Sequence, residues 1–347
     1  MLKKTVLLLV VSMLAITLSG CFPDGSSPYL GNSGQISDAW QLAKSIENFE
    51  LDLTLPQVSP EELPILELSI REWDTEKVVG LFLGDKEITE YYEYDSDYYD
   101  GEKYAVYMSD NFLFSIEKGR ILYIKYPNYM APFTSYLDSK YETEPYDIEC
   151  SFAAREEAAD QVRELLDTLG ITNLSEPDVK AVNAELANRI YEETIPTGNY
   201  EAWVDEEIYY ISFSQVFEGV PLGRGRVGRE NGYVSIGTNI KAVVDKNGIA
   251  YLNLQRIYSA EYKQGEKVSV APATDTLKTA VSYFDGQKLL DSYTMYDCKL
   301  IYSDIANEGN MSFTLVPIWE FSCRFDFGDA RESRYKVYID YQNKPVI

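Results

Sequence analysis

The sequence contains no histidine among its 347 residues. Ser-His-Asp triads, Cys-His pairs, histidine-ligated zinc sites and histidine proton relays all need that side chain, so its absence excludes them. Carboxylate pairs, serine–lysine dyads and metal sites built from oxygen ligands stay open. However, no serine lies in a recognisable nucleophile motif, and no carboxylate pair can be singled out among 56 acids.

Basic residues are also scarce. The 31 Lys and Arg are outnumbered by 56 Asp and Glu, so the net charge is −25. A chain this acidic repels nucleic acid and anionic lipid electrostatically, so its net charge will not attract either partner. There are only four cysteines, and after residue 21 no apolar run is long enough to span a bilayer. Hydrophobic residues nevertheless make up 45% of the chain, which is typical of a globular protein.

The first 21 residues have the pattern of an export signal. Lys3 and Lys4 precede an apolar stretch over residues 6–18 that is too short to span a membrane in the mature protein. The stretch ends at Leu18-Ser19-Gly20-Cys21, which resembles the lipobox of bacterial lipoproteins. The resemblance implies removal of residues 1–20, a diacylglycerol on Cys21 and anchoring at the outer face of the cytoplasmic membrane. A plain secretory signal with a chance cysteine is the alternative.

Removal of that signal would take two lysines and no acid, so the mature charge would be 29 − 56 = −27. We expect residues 21–36, rich in Gly, Ser and Pro, to form a flexible tether. The remaining length suits two domains, which we place at residues 37–170 and 171–347.

Hydrophobic periodicity predicts helices and strands in separate groups. Helices are predicted over residues 36–48, 74–83, 151–169, 175–190 and 274–289. Strands are predicted over residues 63–72, 104–107, 112–116, 121–124, 208–213, 240–246 and 249–258, with three more before the C terminus. Asn247-Gly248 is a strong hairpin signal. Strands in runs with helices set apart predict an α+β fold with antiparallel sheets and helices packed on one face.

Three short motifs in the C-terminal half carry a further resemblance. They are Phe217-Glu218-Gly219-Val220-Pro221-Leu222, Leu315-Val316-Pro317-Ile318-Trp319-Glu320-Phe321 and Tyr338-Ile339-Asp340-Tyr341-Gln342-Asn343. Together they resemble PepSY-like domains, the YycI/YycH group of extracytoplasmic regulators of a Gram-positive sensor histidine kinase, and uncharacterised lipoproteins of clostridia. The resemblance covers about residues 200–347. It implies a PepSY/YycI-like module that contacts other envelope proteins, and it transfers no catalytic residue.

A basic cluster stands out on the acidic chain. Arg224, Arg226 and Arg229 lie in or beside a segment that matches the pattern G-x-G-x-x-G. A dinucleotide site needs a helix after that pattern, whereas a strand is predicted here, so we interpret the segment as a loop between strands. The three arginines are the candidate docking point for an acidic partner.

A second candidate surface is the tyrosine- and acid-rich segment at residues 89–103. It contains a set of tyrosines that we single out as a ligand-binding surface: Tyr91, Tyr92, Tyr94, Tyr98 and Tyr99. Tyrosine faces among acids stack on sugar rings or hold cations. Asp95 and Asp97 also hint at a calcium loop, but the required ligand spacing is incomplete. A solvated loop is the favoured interpretation.

Cys298 and Cys323 are the obvious disulfide candidates in an exported protein, and both lie on the apolar faces of predicted strands. If Tyr302 pairs with Phe313, Cys298 faces Pro317, and Cys323 lies six residues further along. That separation is roughly 20 Å, whereas a disulfide needs Cα atoms within about 7 Å. We therefore predict two free, buried thiols.

These observations predict a lipid-anchored, non-enzymatic envelope protein that binds other proteins and has a regulatory role. Its expected partners are the membrane, through Cys21, and another envelope protein; no cofactor and no nucleic acid is expected. The alternative is a lipoprotein that captures a sugar, peptide or cation on its tyrosine-rich acidic surface. A cleft lined by convergent tyrosines would favour the alternative. An exposed apolar patch or an open strand edge would favour the first function.

Overall fold

The computed structural model describes residues 33–56, 61–96, 102–125, 134, 149–183, 185–186, 207–227, 235–286, 289, 292–307, 312–326 and 332–346. Its helices are α1 Ser33–Ser45, α2 Thr75–Leu83, α3 Arg155–Thr168 and α4 Ala273–Ser282. None of the helices in these residues is long and apolar enough to cross a membrane. The lipobox lies outside the described residues, so Cys21 stays a predicted lipidation site.

Strands dominate the structure. In chain order they are β1 Phe49–Leu51, β2 Glu62–Ile70, β3 Glu90–Asp95, β4 Lys103–Ser109, β5 Phe112–Glu117, β6 Arg120–Lys125, β7 Asp178–Val182, β8 Ile208–Phe213, β9 Val216–Phe217, β10 Val220–Pro221, β11 Arg224–Val227, β12 Ser235–Gly237, β13 Asn239–Asp245, β14 Gly248–Gln255, β15 Tyr258–Ser269, β16 Ser292–Ala306, β17 Ser312–Asp326, β18 Glu332–Asp340 and β19 Pro345–Val346.

Two large sheets form the body of the protein. In the seven-stranded sheet, β1, β16 and β17 are neighbours in that order. On its other side, β17 pairs with two strands along different parts of its length. One is β2, which in turn pairs with β15. The other is β18, which in turn pairs with β19. The eight-stranded sheet has the order β3-β4-β5-β6-β14-β13-β8-β7. β1 runs parallel to β16, and the other neighbouring strands of these sheets are antiparallel. This architecture is α+β, as predicted.

The boundary predicted at residue 170 does not separate the two sheets. Strands β1 and β2 from the N-terminal part join β15–β19 in the seven-stranded sheet, and β3–β6 join β7, β8, β13 and β14 in the eight-stranded one. The chain passes from one sheet to the other and back, because backbone pairing joins segments that are far apart in sequence. A boundary chosen by length and local pattern cannot show such pairing.

Each sheet packs helices against its apolar side chains. Helices α1 and α4 lie together on the seven-stranded sheet, where Ala39, Ala43, Leu277 and Ala280 join the core around Trp319. Helices α2 and α3 supply buried side chains to the core of the eight-stranded sheet. Local chemistry sets the bounds of α2. The Asp74 carboxylate accepts from the Lys77 N–H at 3.1 Å, and Gly84 ends the helix at φ +51°, as the sequence predicted.

The helix predicted over residues 175–190 is wrong over its first half. Residues 178–182 form β7, whose Val182 pairs with Ile208 and Asp178 with Ser212 at the end of the eight-stranded sheet. Ser175, at the start of the predicted helix, does not begin a helix; its hydroxyl accepts from the Ser214 N–H at 3.0 Å. Pairing with a neighbouring strand outweighs the weak local helix preference. Helix α1 also begins inside the predicted tether, at Ser33.

Strands β16 and β17 form a long hairpin in which Ala306 faces Phe313 and Cys298 faces Phe321. The predicted register is therefore wrong by four residues, because alternating apolar side chains allow any even shift between strands. Cys323 faces Met295. Both cysteines are free and buried, as is Cys150, so the prediction of two free thiols is confirmed.

The two sheets meet at the turn between β5 and β6. The Gly119 N–H donates to the Arg71 carbonyl at 2.8 Å, and the Gly119 carbonyl accepts from the Ile257 N–H at 2.9 Å. Arg71 and Ile257 follow β2 and β14, where the chain crosses between the sheets. Gly119 has φ +65°, and a Cβ atom there would lie 2.3 Å from Ile70 Cγ2. The contact therefore needs glycine on both conformational and steric grounds.

A buried ion pair lies beside this crossing. The side chain of Asp304 on β16 is fully buried, and its Oδ2 lies 3.1 Å from Arg256 Nη1. The same oxygen accepts from the Tyr258 hydroxyl at 2.5 Å. The Tyr258 backbone is held in turn by the Gln215 side chain, through bonds of 2.8 and 3.1 Å. Together these contacts satisfy polar groups that would otherwise destabilise the junction.

Candidate functional site

The tyrosine-rich segment forms a β-hairpin, so the solvated loop expected at residues 89–103 is not what the structure shows. Strand β3 pairs with β4 through six consecutive residue pairs without a register shift, from Glu90 with Met108 to Asp95 with Lys103. All six residues of β3 are exposed. Tyr98 and Tyr99 lie outside the described residues, as does Asp97 of the suggested calcium loop.

Strand geometry divides the predicted tyrosine surface into two. Successive side chains of a strand point to opposite faces of the sheet, so Tyr91 lies on one face while Tyr92 and Tyr94 lie on the other. The ring of Tyr91 contacts that of Tyr107 at 5.0 Å with a tilt of 53°, on the face that also carries α2. The described tyrosines of β3 therefore do not converge on one ligand, which corrects the single surface predicted from the sequence.

On the helix-bearing face, aromatic rings lead from the edge into the core. Tyr107 contacts Phe114 at 5.9 Å, and Phe114 stacks at 5.2 Å on Phe82 of α2. A groove of roughly 460 Å³ opens beside Tyr91 and Tyr107. We call it the aromatic–acidic groove, and its lining residues include Glu72, Trp73, Tyr91, Glu93, Glu102, Lys103, Tyr107, Glu117 and Lys118.

Ion pairs order the walls of the groove. Lys103 Nζ lies 3.1 Å from Glu93, and Lys118 Nζ lies 2.7 Å from Glu72 and 3.6 Å from Glu102. The hydrogen bond from Lys118 lowers the pKa of Glu72, and that from Lys103 lowers the pKa of Glu93. Four acids against two lysines leave the groove acidic overall. Its electrostatics therefore favour a cationic group.

The tyrosines of the groove stay protonated near neutral pH. Loss of water contact, followed by the nearby charge of Glu93, raises the pKa of Tyr91 and of Tyr107. Near neutral pH, Glu72 and Glu93 are therefore ionised and Tyr91 and Tyr107 are neutral, which are the ordinary states of these side chains. None of these shifts brings a group toward neutral pH, where a general acid or base works best.

The opposite face of the hairpin carries a row of stacked rings. Tyr94 stacks on Tyr104 of the neighbouring strand at 5.0 Å and contacts Tyr92 at 6.0 Å. The Tyr92 hydroxyl donates to the Glu90 carboxylate at 2.6 Å, and this bond raises the pKa of Tyr92. The row is an exposed aromatic surface with an acid at one end.

Exposed apolar surface is concentrated on this strand. Of the six large hydrophobic side chains that are exposed within the described chain, Tyr91, Tyr92 and Tyr94 belong to β3, with exposed fractions of 53%, 42% and 45%. Ile88 lies just before it, at 43%. β3 pairs only with β4 among the described strands, so within these residues its other edge is unpaired. An open edge and clustered exposed aromatics are both features of interaction surfaces.

The predicted arginine cluster lies elsewhere. Arg224 and Arg226 belong to β11, which pairs with β12 in a two-stranded ribbon, and Arg229 lies outside the described residues. The G-x-G-x-x-G segment thus enters a strand, and the loop expected there is replaced by this ribbon. A helix N-terminus is what would direct amides at a phosphate. The docking role of the three arginines stays a prediction.

Sequence patterns missed several groove residues. Trp73 belongs to no site motif in the sequence; unlike Trp319, which is fully buried, it is only partly buried and lines the groove. Arg71 lies over its ring at 5.2 Å. Glu72 and Lys118 belong to different segments that meet only in the folded chain. The one local signal was the position of Trp73 directly before the helix cap Asp74, where a side chain lies outside the helix.

Comparison with known proteins gives a fold but no family. No family model matches the chain, and no curated protein is similar to it in sequence. The crystal structure of an uncharacterized protein from Eubacterium rectale ATCC 33656 is similar in structure, with a TM-score of 0.68. The match covers 91% of this chain and 99% of that chain at 12% sequence identity. At this identity the likeness shows a common fold alone.

Proposed function

We propose that this chain is a lipid-anchored, non-catalytic envelope protein that binds another protein through the exposed edge of β3. The observation that carries the proposal is the coincidence of an open sheet edge with Tyr91, Tyr92 and Tyr94, half of the large hydrophobic side chains exposed in the described chain. Monomeric proteins seldom group such side chains on an unpaired strand, because the combination promotes unwanted association.

Anchoring at Cys21 fits the charge of the body. Two or three acyl chains give durable membrane attachment, whereas one is marginal. The net charge of −27 that remains after removal of residues 1–20 holds the folded part away from anionic headgroups, so the edge of β3 would stay accessible to proteins at the outer face of the membrane.

The composition of the chain and the ion pairs of the groove support the non-catalytic part of the proposal. The sequence lacks histidine, and the lysines that line the groove are held in ion pairs with Glu72, Glu93 and Glu102. Binding that depends on surface contacts needs none of these groups to change charge.

The finer part of the proposal is a two-domain, PepSY-like organisation with a regulatory role. The three motifs that carry this resemblance lie in the β9–β10 hairpin, along β17, and at the end of β18 with its turn. All three belong to or contact the seven-stranded sheet and its core. We therefore assign the regulatory module to the seven-stranded sheet and partner binding to the eight-stranded sheet.

Site-specific cross-linking in cells tests this function. A photoreactive residue in place of Tyr92 should form adducts with a protein partner. The same residue in place of Glu261, on the other long open edge strand β15, should not. Cys21→Ser should abolish lipidation and move the protein to the medium or leave it uncleaved. Adducts that form equally from both positions, or turnover of an envelope substrate at ordinary enzyme rates, would contradict the proposal.

A second candidate function is capture of a small ligand in the aromatic–acidic groove. Its volume of roughly 460 Å³ lies within the usual range of ligand sites, and Trp73, Tyr91 and Tyr107 provide ring faces. A sugar or small cation that binds there should lose affinity in Tyr91→Ala and keep it in Tyr94→Ala, because Tyr94 lies on the opposite face. Isothermal titration with both variants decides between the faces.

A further inference from the structure

Two edge strands of the described sheets, β3 and β15, differ in a way that matters for binding. β15 carries Glu261, Lys263, Glu266 and Lys267, and its pairing with β2 contains register shifts. Mixed charges that include lysine, together with bulges, are common means of keeping an edge from pairing with another chain. β3 has neither, because it carries three acids and no base and pairs without a shift.

The free edge of β3 is suited to an added strand. In an antiparallel pair, alternate residues bond to the partner, and the residues between them direct their N–H and C=O groups outward. The regular pairing of β3 with β4 therefore leaves one row of its backbone groups for another chain. An extended peptide that occupies this edge gains main-chain hydrogen bonds whatever its sequence, and side-chain contacts select among peptides.

Both faces beside that edge select for positive charge. On the helix-bearing face, an added strand would lie next to Tyr91, Glu93 and Asp95 and beside the aromatic–acidic groove. Glu93 and Asp95 share one lysine, Lys103 of β4, at 3.1 and 3.9 Å, so this part of the face keeps a net negative charge. On the opposite face it would lie next to Glu90 and the rings of Tyr92 and Tyr94. Lysine and arginine side chains pair with carboxylates and stack over tyrosine rings, so the same residue types suit both faces.

We propose that β3 binds an extended, lysine- or arginine-bearing segment of another protein as an additional strand. The inference rests on the proposed function and adds the chemistry and the geometry of the partner. A second copy of this chain is disfavoured as the occupant, because two β3 edges would place their acids beside one another.

The test uses the full-length protein in a nonionic detergent and a labelled peptide of about eight residues with the repeat Lys-Lys-Val-Val, which places lysines on both faces of a strand, with both termini blocked. Fluorescence anisotropy should show binding that weakens as salt is added. A peptide with Glu in place of Lys should not bind. A peptide with every backbone amide methylated keeps the charges but cannot pair with the edge, so it should not bind either.

Matched charge reversals locate the site on the protein. Glu90→Lys with Asp95→Lys, one residue on each face of β3, should weaken binding about tenfold or more. Glu261→Lys with Glu266→Lys makes the same change in net charge on β15 and should leave affinity nearly unchanged. Hydrogen exchange should slow in residues 90–95 when the peptide binds. Circular dichroism confirms that all the variants fold.

Several results would overturn the inference. They are equal binding of the methylated or glutamate peptide, equal loss of binding in the two double variants, or self-association through β3 that excludes the peptide. The outcome is separable from that of the proposed function. If the residue at position 92 forms adducts in cells but the lysine peptide does not bind, the function stands and the cationic added strand is refuted.

Discussion

Replacement of Gly119 by alanine tests the junction that joins the two sheets. An alanine at φ +65° costs roughly 1–2 kcal/mol, because its Cβ atom crowds the backbone. The new Cβ atom would also lie 2.3 Å from Cγ2 of the buried Ile70 and 3.3 Å from the Ile257 carbonyl. Overpacking of this kind costs about 1–3 kcal/mol more. The expected loss is therefore about 2–5 kcal/mol, against a typical total stability of about 5–15 kcal/mol.

Urea unfolding followed by circular dichroism measures the loss, and Gly219→Ala is its control. Gly219 has φ +76° but no atom within 4 Å of its built Cβ atom, so that variant should show only the conformational cost. If Gly119→Ala and Gly219→Ala are destabilised equally, the steric part of the reasoning is refuted.

A double-mutant cycle isolates the collision with Ile70. Ile70→Ala removes the methyl group that the new side chain would meet, and by itself it costs about 2–5 kcal/mol. The double variant should be more stable than the sum of the single losses by about 1–3 kcal/mol. Additive losses would mean that the two side chains do not collide.

Two further predictions concern buried groups. Asp304→Ala should cost about 3–5 kcal/mol in the same urea assay, because it leaves Arg256 and the Tyr258 hydroxyl without their shared acceptor, while Asp304→Asn should cost less. Equal losses would show that the acceptor oxygen is unimportant. Cys298 and Cys323 should resist alkylation until the protein unfolds, and a cross-linked Cys298–Cys323 peptide in the non-reduced protein would contradict this. Burial raises the pKa of Cys323 to about 12, above the usual value near 9, so this thiol's contribution to stability is present below about pH 9 and is lost as the pH rises toward 12. Between about pH 8 and pH 10 the alkylation rate should therefore follow the population of unfolded molecules multiplied by their thiolate fraction, because the folded thiol stays protonated.

Features that depend on a few neighbouring residues could be predicted from the sequence. Asp74 and Gly84 bound α2 because a cap needs one acceptor side chain or one residue at positive φ. The hairpin signal at Asn247-Gly248 located the turn between β13 and β14 to within one residue: Asp245 pairs with Gly248, so the turn residues are Lys246 and Asn247. The periodicity of apolar residues also predicted the α+β class, because the periods of helices and strands differ and each depends only on which side of the segment is buried.

For the candidate site, the sequence predicted which residue types are present but not how they are arranged in space. The tyrosines and acids of residues 89–103 stood out in the sequence, but the division of Tyr91 from Tyr92 and Tyr94 required the strand pairing of β3 with β4. Trp73 and Lys118 join Tyr91 in the groove because three separate segments meet there. Contacts between distant segments leave no local sequence pattern. The sequence therefore could not show whether residues 89–103 form a solvated loop or an exposed edge strand.

By itself, the sequence determined several turns, the bounds of α2 and the alternation of buried and exposed side chains, because these follow from the conformational preferences of short segments. Tertiary structure decided which strands are neighbours. It made residues 178–182 a strand beside Ile208, shifted the register of β16 against β17 by four residues, and interleaved both halves of the chain in two sheets. The physical reason is that hydrogen bonds between strands and burial of a common core are summed over distant segments, and this sum outweighs local preferences of a few tenths of a kcal/mol per residue.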